Sequence, residues 1–147
     1  MTGTTTDFST MTPLSLALFI EQHQGEMHAA GITGNAILDS VAAGRTKIEA
    51  RPDCFALIRM IPNGDGSYSP FLWLLYVAPE ARGQGLGRRF MRELLRQHSR
   101  DYHMTLECYG ARRRAFFGRL GFRVKQRQAD WREMSTEPVN MYAKART

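Results

Sequence analysis

The residues best suited to chemistry in this sequence are Arg82, Gly83, Gln84, Gly85, Leu86, Gly87 and Arg88. They follow an apolar run at 71–77 that ends in Ala78-Pro79, and they precede a stretch of helical periodicity. A strand, a glycine-rich turn and a helix start together present backbone N–H groups to an anion, and the helix N-terminus adds partial positive charge. Glycines in such a turn tolerate positive φ and let the backbone come close to a phosphate. The segment therefore reads as a binder of a phosphorylated cofactor. A Walker loop is excluded, because no lysine or hydroxyl residue stands at the required spacing. The dinucleotide fingerprint fails too: Gly83 and Gly85 supply its first two glycines, but Arg88 stands at the third position. What remains is Arg-x-x-Gly-x-Gly at Arg82, Gly85 and Gly87.

A second segment, residues 108–122, follows a strand-like run at 104–108 and ends in Phe-Phe-x-x-x-Gly-Phe. Its Phe116, Gly121 and Phe122 match Asn-x-x-Ala-x-x-Phe-Tyr-x-x-x-Gly-Phe, the pattern common at this place in the family that the segment resembles. With the glycine loop, this resembles the acyl-CoA site of the GCN5-related N-acetyltransferases, the GNAT superfamily. The resemblance covers about residues 46–144 and is much weaker in the N-terminal third. It implies an α/β (α+β) fold: a mixed, splayed central sheet of six to seven strands with about four helices.

The resemblance further implies an N-acetyltransferase that moves an acetyl group from acetyl-CoA, its co-substrate, to a primary amine. The other reading is a non-catalytic acyl-CoA-binding sensor or regulatory module. The pyrophosphate would sit on the N–H groups of Arg82, Gly83, Gln84, Gly85, Leu86, Gly87 and Arg88. The pantetheine amides would pair with backbone groups near Tyr76 and Val77, between the strands at 71–77 and 104–108. Arg82 and Arg88 are candidates for charge-assisted contacts to phosphate, with plain surface charge as the alternative for each. Departures from the family pattern bear on the chemistry. The tyrosine that often protonates the leaving thiolate falls on Phe117, the usual asparagine on Gly110, and the run 71–77 holds no carboxylate to act as base. Substitutes can be named, among them Tyr76 on the strand at 71–77, and direct attack with the thiolate leaving unassisted is the alternative to all of them. Tyr109 is a candidate acid, or else an aromatic packing residue. Glu107 is a candidate base if it faces the site, or else a solvated or arginine-paired side chain.

Several elements must position these residues. Apolar spacing predicts a helix over 14–30, stopped at Gly31, and a second over 33–43, stopped at Gly44. Strands are expected at 46–50, 54–61, 71–77, 104–108, 122–126 and 139–143, with helices at 85–98 and 111–120. The run 71–77 is apolar on both alternate faces, which predicts a strand covered on both sides. Family chains usually open with a strand, and here only residues 7–11 are available for a short first edge. Residues 1–12 read as a flexible tail and 13–147 as one domain.

Composition sets the remaining bounds. The 147 residues are 43% hydrophobic and 23% charged, enough for one domain with a real core. No apolar run is long enough to span a bilayer, and the N-terminus lacks a basic signal region. Cys54 and Cys108 read as buried free thiols, consistent with a cytoplasmic location. Neither the cysteines nor the four histidines have metal-ligand spacing, so no metal is expected. Residues 1–81 carry four basic and eight acidic side chains, net −4, while 82–147 carry sixteen basic and six acidic, net +10. Nucleic acid is one reading of that asymmetry, and an RNA-linked acceptor would follow from it. The favoured reading assigns some arginines to CoA phosphates and the rest to solvated helix faces, since no aromatics interleave with them. The expected partners are therefore a small-molecule or peptide amine and, from family habit, a second copy of the chain in a homodimer.

Overall fold

The computed structural model describes residues 6–27, 32–108, 110–124 and 139–143. Helices α1 (Pro13–Gln22), α2 (Gln24–Met27) and α3 (Gly34–Ala42) come first. Strands β1 (Thr46–Arg51), β2 (Cys54–Pro62) and β3 (Tyr68–Val77) follow. Next come α4 (Leu86–His98), β4 (Met104–Cys108), α5 (Ala111–Arg119), β5 (Arg123–Val124) and β6 (Val139–Ala143). The strands hydrogen-bond in the order β1-β2-β3-β4-β6-β5, a mixed sheet with β3 and β4 parallel. The later strand β6 lies between β4 and β5, antiparallel to both.

Local chemistry fixes the helix ends. Thr12 caps α1 in a reciprocal box: Ser15 N–H donates to Thr12 Oγ1 at 3.1 Å, and Thr12 N–H donates to Ser15 Oγ at 2.9 Å. Pro13 takes the first helical position, where no donor is needed. The helix expected over 14–30 breaks at His23, whose backbone leaves the helical region at φ −120°. The His23 ring stacks on Phe19, centroids 4.1 Å apart, and its Nδ1 lies 2.8 Å from the Phe19 carbonyl oxygen. Residues 28–30 of that expected helix lie outside the described residues, as do 125 and 126 of the expected strand at 122–126. Helix α3, expected to start at Thr33, starts one residue later with Thr33 as its cap, and Gly44 beyond it adopts φ 73°.

The chain forms two compact units. The first comprises Met1–Met60 and Trp73–Leu86. Its core packs Leu16, Ala17, Ile20, Ile37 and Leu57 around the rings of Phe8, Phe55 and Tyr76. The Phe8 ring meets Phe55 at 4.9 Å, Phe19 at 5.1 Å and Tyr76 at 5.9 Å, all edge to face. Residues 7–11 do not supply a first edge strand: Phe8–Thr10 is a single 3-10 turn capped by Asp7. The Phe8 N–H donates to the Pro52 carbonyl at 3.1 Å and its side chain is 1% exposed, so the segment expected to be tail enters the core.

The second unit comprises Ile61–Leu72 and Gly87–Thr147. Its buried residues include Phe90, Met91, Leu94 and Leu95 of α4, Met104, Leu106 and Cys108 of β4, and Phe117, Leu120 and Phe122. Strand β3 is shared, with Phe71 opposite Thr105 and Leu72 opposite Leu106 in this unit. Leu72, Leu74 and Tyr76 are buried, whereas Phe71, Trp73, Leu75 and Val77 are only half-buried, so one face of β3 is covered less than the sequence implies.

Candidate functional site

The glycine loop is built as its residues require. Ala78 N–H donates to the Asp53 carbonyl at 2.9 Å, tying the end of β3 to the turn before β2. Pro79–Ala81 forms one 3-10 turn, closed by Ala81 N–H to the Ala78 carbonyl at 2.9 Å. Gly83 and Gly85 then take φ values of 80° and 76°. A side chain is strained in that left-handed region, so the loop's shape depends on glycine there. A Cβ on Gly83 would meet nothing within 4 Å, so space is open on that side. Helix α4 starts at Leu86 with no acidic residue in its first turn. Its leading N–H groups have no partner within the helix. Two left-handed glycines running into an acid-free helix N-terminus suit a pyrophosphate, in backbone shape and in sign of charge.

The side chains around the loop are placed as follows. Arg88 is exposed on α4. Arg82 is half-exposed and turns back toward β3. Its Nε donates to the Val77 carbonyl at 2.9 Å, its Nη2 lies 3.5 Å from Glu26 Oε1, and its guanidinium carbon sits 5.5 Å from the Tyr76 ring centre. The Tyr76 hydroxyl donates to the same Glu26 oxygen at 2.7 Å. Burial, and then this hydrogen bond, push the Tyr76 phenol up to about 12, so it remains a neutral donor. Glu26, on α2, belongs to this group although sequence reading missed it. No local spacing announces it, because its partners stand 50 residues or more further along the chain.

Glu107 is exposed on β4, opposite Asn140 in register, while Leu106 and Cys108 on either side are buried. Tyr109 lies outside the described residues. Phe117 is buried, with Phe116 and Phe122 edge-on at 5.1 and 5.4 Å, so this position serves packing and offers no proton. Gly110 caps α5 at φ 87° without a side-chain bond. Cys54 and Cys108 are buried, and burial pushes the Cys108 thiol up. Among the described residues no three His, Cys, Asp or Glu side chains group as metal ligands. Among them, too, no helix is long and apolar enough to cross a membrane.

A mixed, splayed α/β sheet with a phosphate-type loop between β3 and α4 defines an acyltransferase fold of the GNAT type. The model of the acetyltransferase (GNAT) domain matches residues 41–124, more than half of the chain, and the protein belongs to that family. By family it is an N-acetyltransferase. No curated protein matches significantly. Among solved structures, a protein assigned to the GNAT acetyltransferases from Desulfovibrio desulfuricans is similar at TM-score 0.62 and 18% identity, over 89% of this chain and 91% of that one. The ribosomal-protein-S18-alanine N-acetyltransferase of Escherichia coli is similar at TM-score 0.57 and 18% identity, over 91% and 89%. Arabidopsis thaliana Naa50, solved with the bisubstrate analogue CoA-Ac-MVNAL, is similar at TM-score 0.55 and 14% identity, over 86% and 93%.

Proposed function

We propose that this protein transfers the acetyl group of acetyl-CoA to a primary amine of a peptide or small molecule. The observation that carries this reading is the turn in which Gly83 and Gly85 hold positive φ ahead of the acid-free start of α4. Backbone N–H groups between Arg82 and Arg88 would take the pyrophosphate, and backbone near Tyr76 and Val77 the pantetheine amides. In the transfer, the neutral amine nitrogen attacks the thioester carbonyl carbon, a C–N bond forms, and the C–S bond breaks. The amine proton leaves to a base and the thiolate takes up a proton. We assign the base role to Glu107, acting through water, and the acid role to Tyr109. The acceptor panel should include peptides with free N-termini, because two of the similar structures carry peptide or protein acceptors in their names.

Calorimetric titration with acetyl-CoA, followed by thiol release across peptides, polyamines and small amines, tests this reading. Saturable binding with amine-dependent release supports it and gives the acceptor class. Binding with no release for any amine favours the sensor reading. No binding overturns the assignment of the loop.

A further inference from the structure

Arg82 opens the Arg-x-x-Gly-x-Gly motif, yet its side chain is turned away from the glycines and joined to β3 and α2. The Arg82 Nε bond to the Val77 carbonyl closes a ring of chain over Ala78, Pro79, Glu80 and Ala81. That ring is already stitched by Ala81 N–H to Ala78 O and by Ala78 N–H to Asp53 O. Glu26 completes the arrangement from a distant part of the sequence. One oxygen, Oε1, accepts from Tyr76 and faces Arg82, and Tyr76 itself is buried in the core beside Phe8 and Phe55. The guanidinium lies over the Tyr76 ring, an orientation that both the cation–π contact and the carboxylate favour.

We propose that Glu26 is a positioning residue for the cofactor loop: through Arg82 and Tyr76, its carboxylate holds segment 77–82 in the conformation that presents Gly83 and Gly85 to the pyrophosphate. The proposal rests on the acyl-CoA reading of that loop. The physical case is one of preorganisation. Two glycines make the turn adaptable but costly in entropy to order around a ligand. Fixing its first residue to a buried tyrosine and a strand carbonyl lowers that cost before the ligand arrives. The Arg82–Glu26 pair alone is too exposed to accomplish this, since its side chains keep 50% and 37% of their surface in solvent. The short bond from the buried Tyr76 hydroxyl anchors the carboxylate, and the carboxylate in turn anchors the arginine.

Electrostatics makes the proposal separable from a simple charge effect. CoA is a polyanion, so deleting a nearby carboxylate should by Coulomb's law alone tighten binding. Positioning demands the opposite sign. The experiment is acetyl-CoA titration of wild type, Glu26→Ala, Glu26→Gln, Arg82→Met and the Glu26→Ala/Arg82→Met double variant, with thermal midpoints measured alongside. We expect Glu26→Ala to weaken binding about fivefold, with Glu26→Gln intermediate, and the Glu26 effect to shrink below about twofold once Arg82 is absent, the signature of coupled residues. Midpoints of Glu26→Gln and wild type should agree, so that a fold defect does not account for the loss. Unchanged or tighter binding by Glu26→Gln, or losses from the two sites that simply add, overturns the proposal. Absence of acetyl-CoA binding by the wild type is a different failure, because it removes the loop assignment itself and the proposal with it.

Discussion

The Tyr76 hydroxyl and the Glu26 carboxylate are 50 residues apart in the chain and 2.7 Å apart in space. The bond links α2 to β3, the strand that runs into the glycine loop. Burial first, and then this bond, push the phenol up to about 12. A group whose proton is held more tightly in the folded state contributes its full stabilisation below its unfolded value, and loses it as pH rises to the folded value. For Tyr76 those limits are 10.0 and about 12. Folding stability should therefore fall across that window by up to about 2–3 kcal/mol from this residue, the scale of two pKa units. Denaturant unfolding of wild type and Tyr76→Phe at several pH values checks it: the wild-type curve should fall more steeply between pH 10 and 12. Parallel curves would remove Tyr76 as the source.

The cofactor loop should be breakable without breaking the protein. Gly87 is the second residue of α4, and an acid in a helix's first turn suits the helix dipole. Gly87→Glu is thus expected to leave the thermal midpoint unchanged or slightly raised. Acetyl-CoA affinity should drop at least about tenfold, the scale of a like-charge contact near a surface. Gly85→Ala differs in kind: with φ at 76° a Cβ is strained, costing about 1–2 kcal/mol of stability. Retained affinity in Gly87→Glu would move the phosphate site elsewhere.

The proposed transfer assigns the base role to Glu107 and the acid role to Tyr109. Once an acceptor is known, Glu107→Gln and Tyr109→Phe should each lower kcat/KM by about 100-fold while acetyl-CoA affinity holds. An unchanged kcat/KM in either variant retires that residue, and in the case of Tyr109 means that the thiolate leaves unassisted.

Phe8 anchors the N-terminal segment by edge-to-face contacts with three core rings. Phe8→Ala should cost about 3–5 kcal/mol, the usual penalty for emptying a buried aromatic site. Urea titration measures it directly. A loss under about 0.5 kcal/mol, typical of surface positions, would return the segment to the status of a tail.

Much of the fold was legible because its causes are local. Strands β4 and β6 have the bounds that their alternation predicts, and α4 shows the burial of Phe90, Met91, Leu94 and Leu95 that its spacing demands. The glycine loop could be read for the same reason: positive φ at Gly83 and Gly85 is a property of single residues, and sequence records it as glycine. The Pro79 stop and the Gly44 terminus follow the same logic.

Tertiary structure alone decided what depends on distant partners. Strand β6 pairs with β4 on one side and β5 on the other, because ladder pairing is set by long-range register and leaves no mark within either strand. Phe8 sits in a threonine-rich stretch that reads as solvent-exposed, and only the facing rings of Phe19, Phe55 and Tyr76 make burial favourable. The phenylalanine at position 117 could be seen to lack a proton, but only packing between Phe116 and Phe122 shows that it serves the core. Sequence thus determined which residues of the loop take left-handed backbone, since that conformation is written locally as glycine. The folded chain determined which side chains meet beside that loop, since Glu26, Tyr76 and Arg82 come together only after helix and strand have packed.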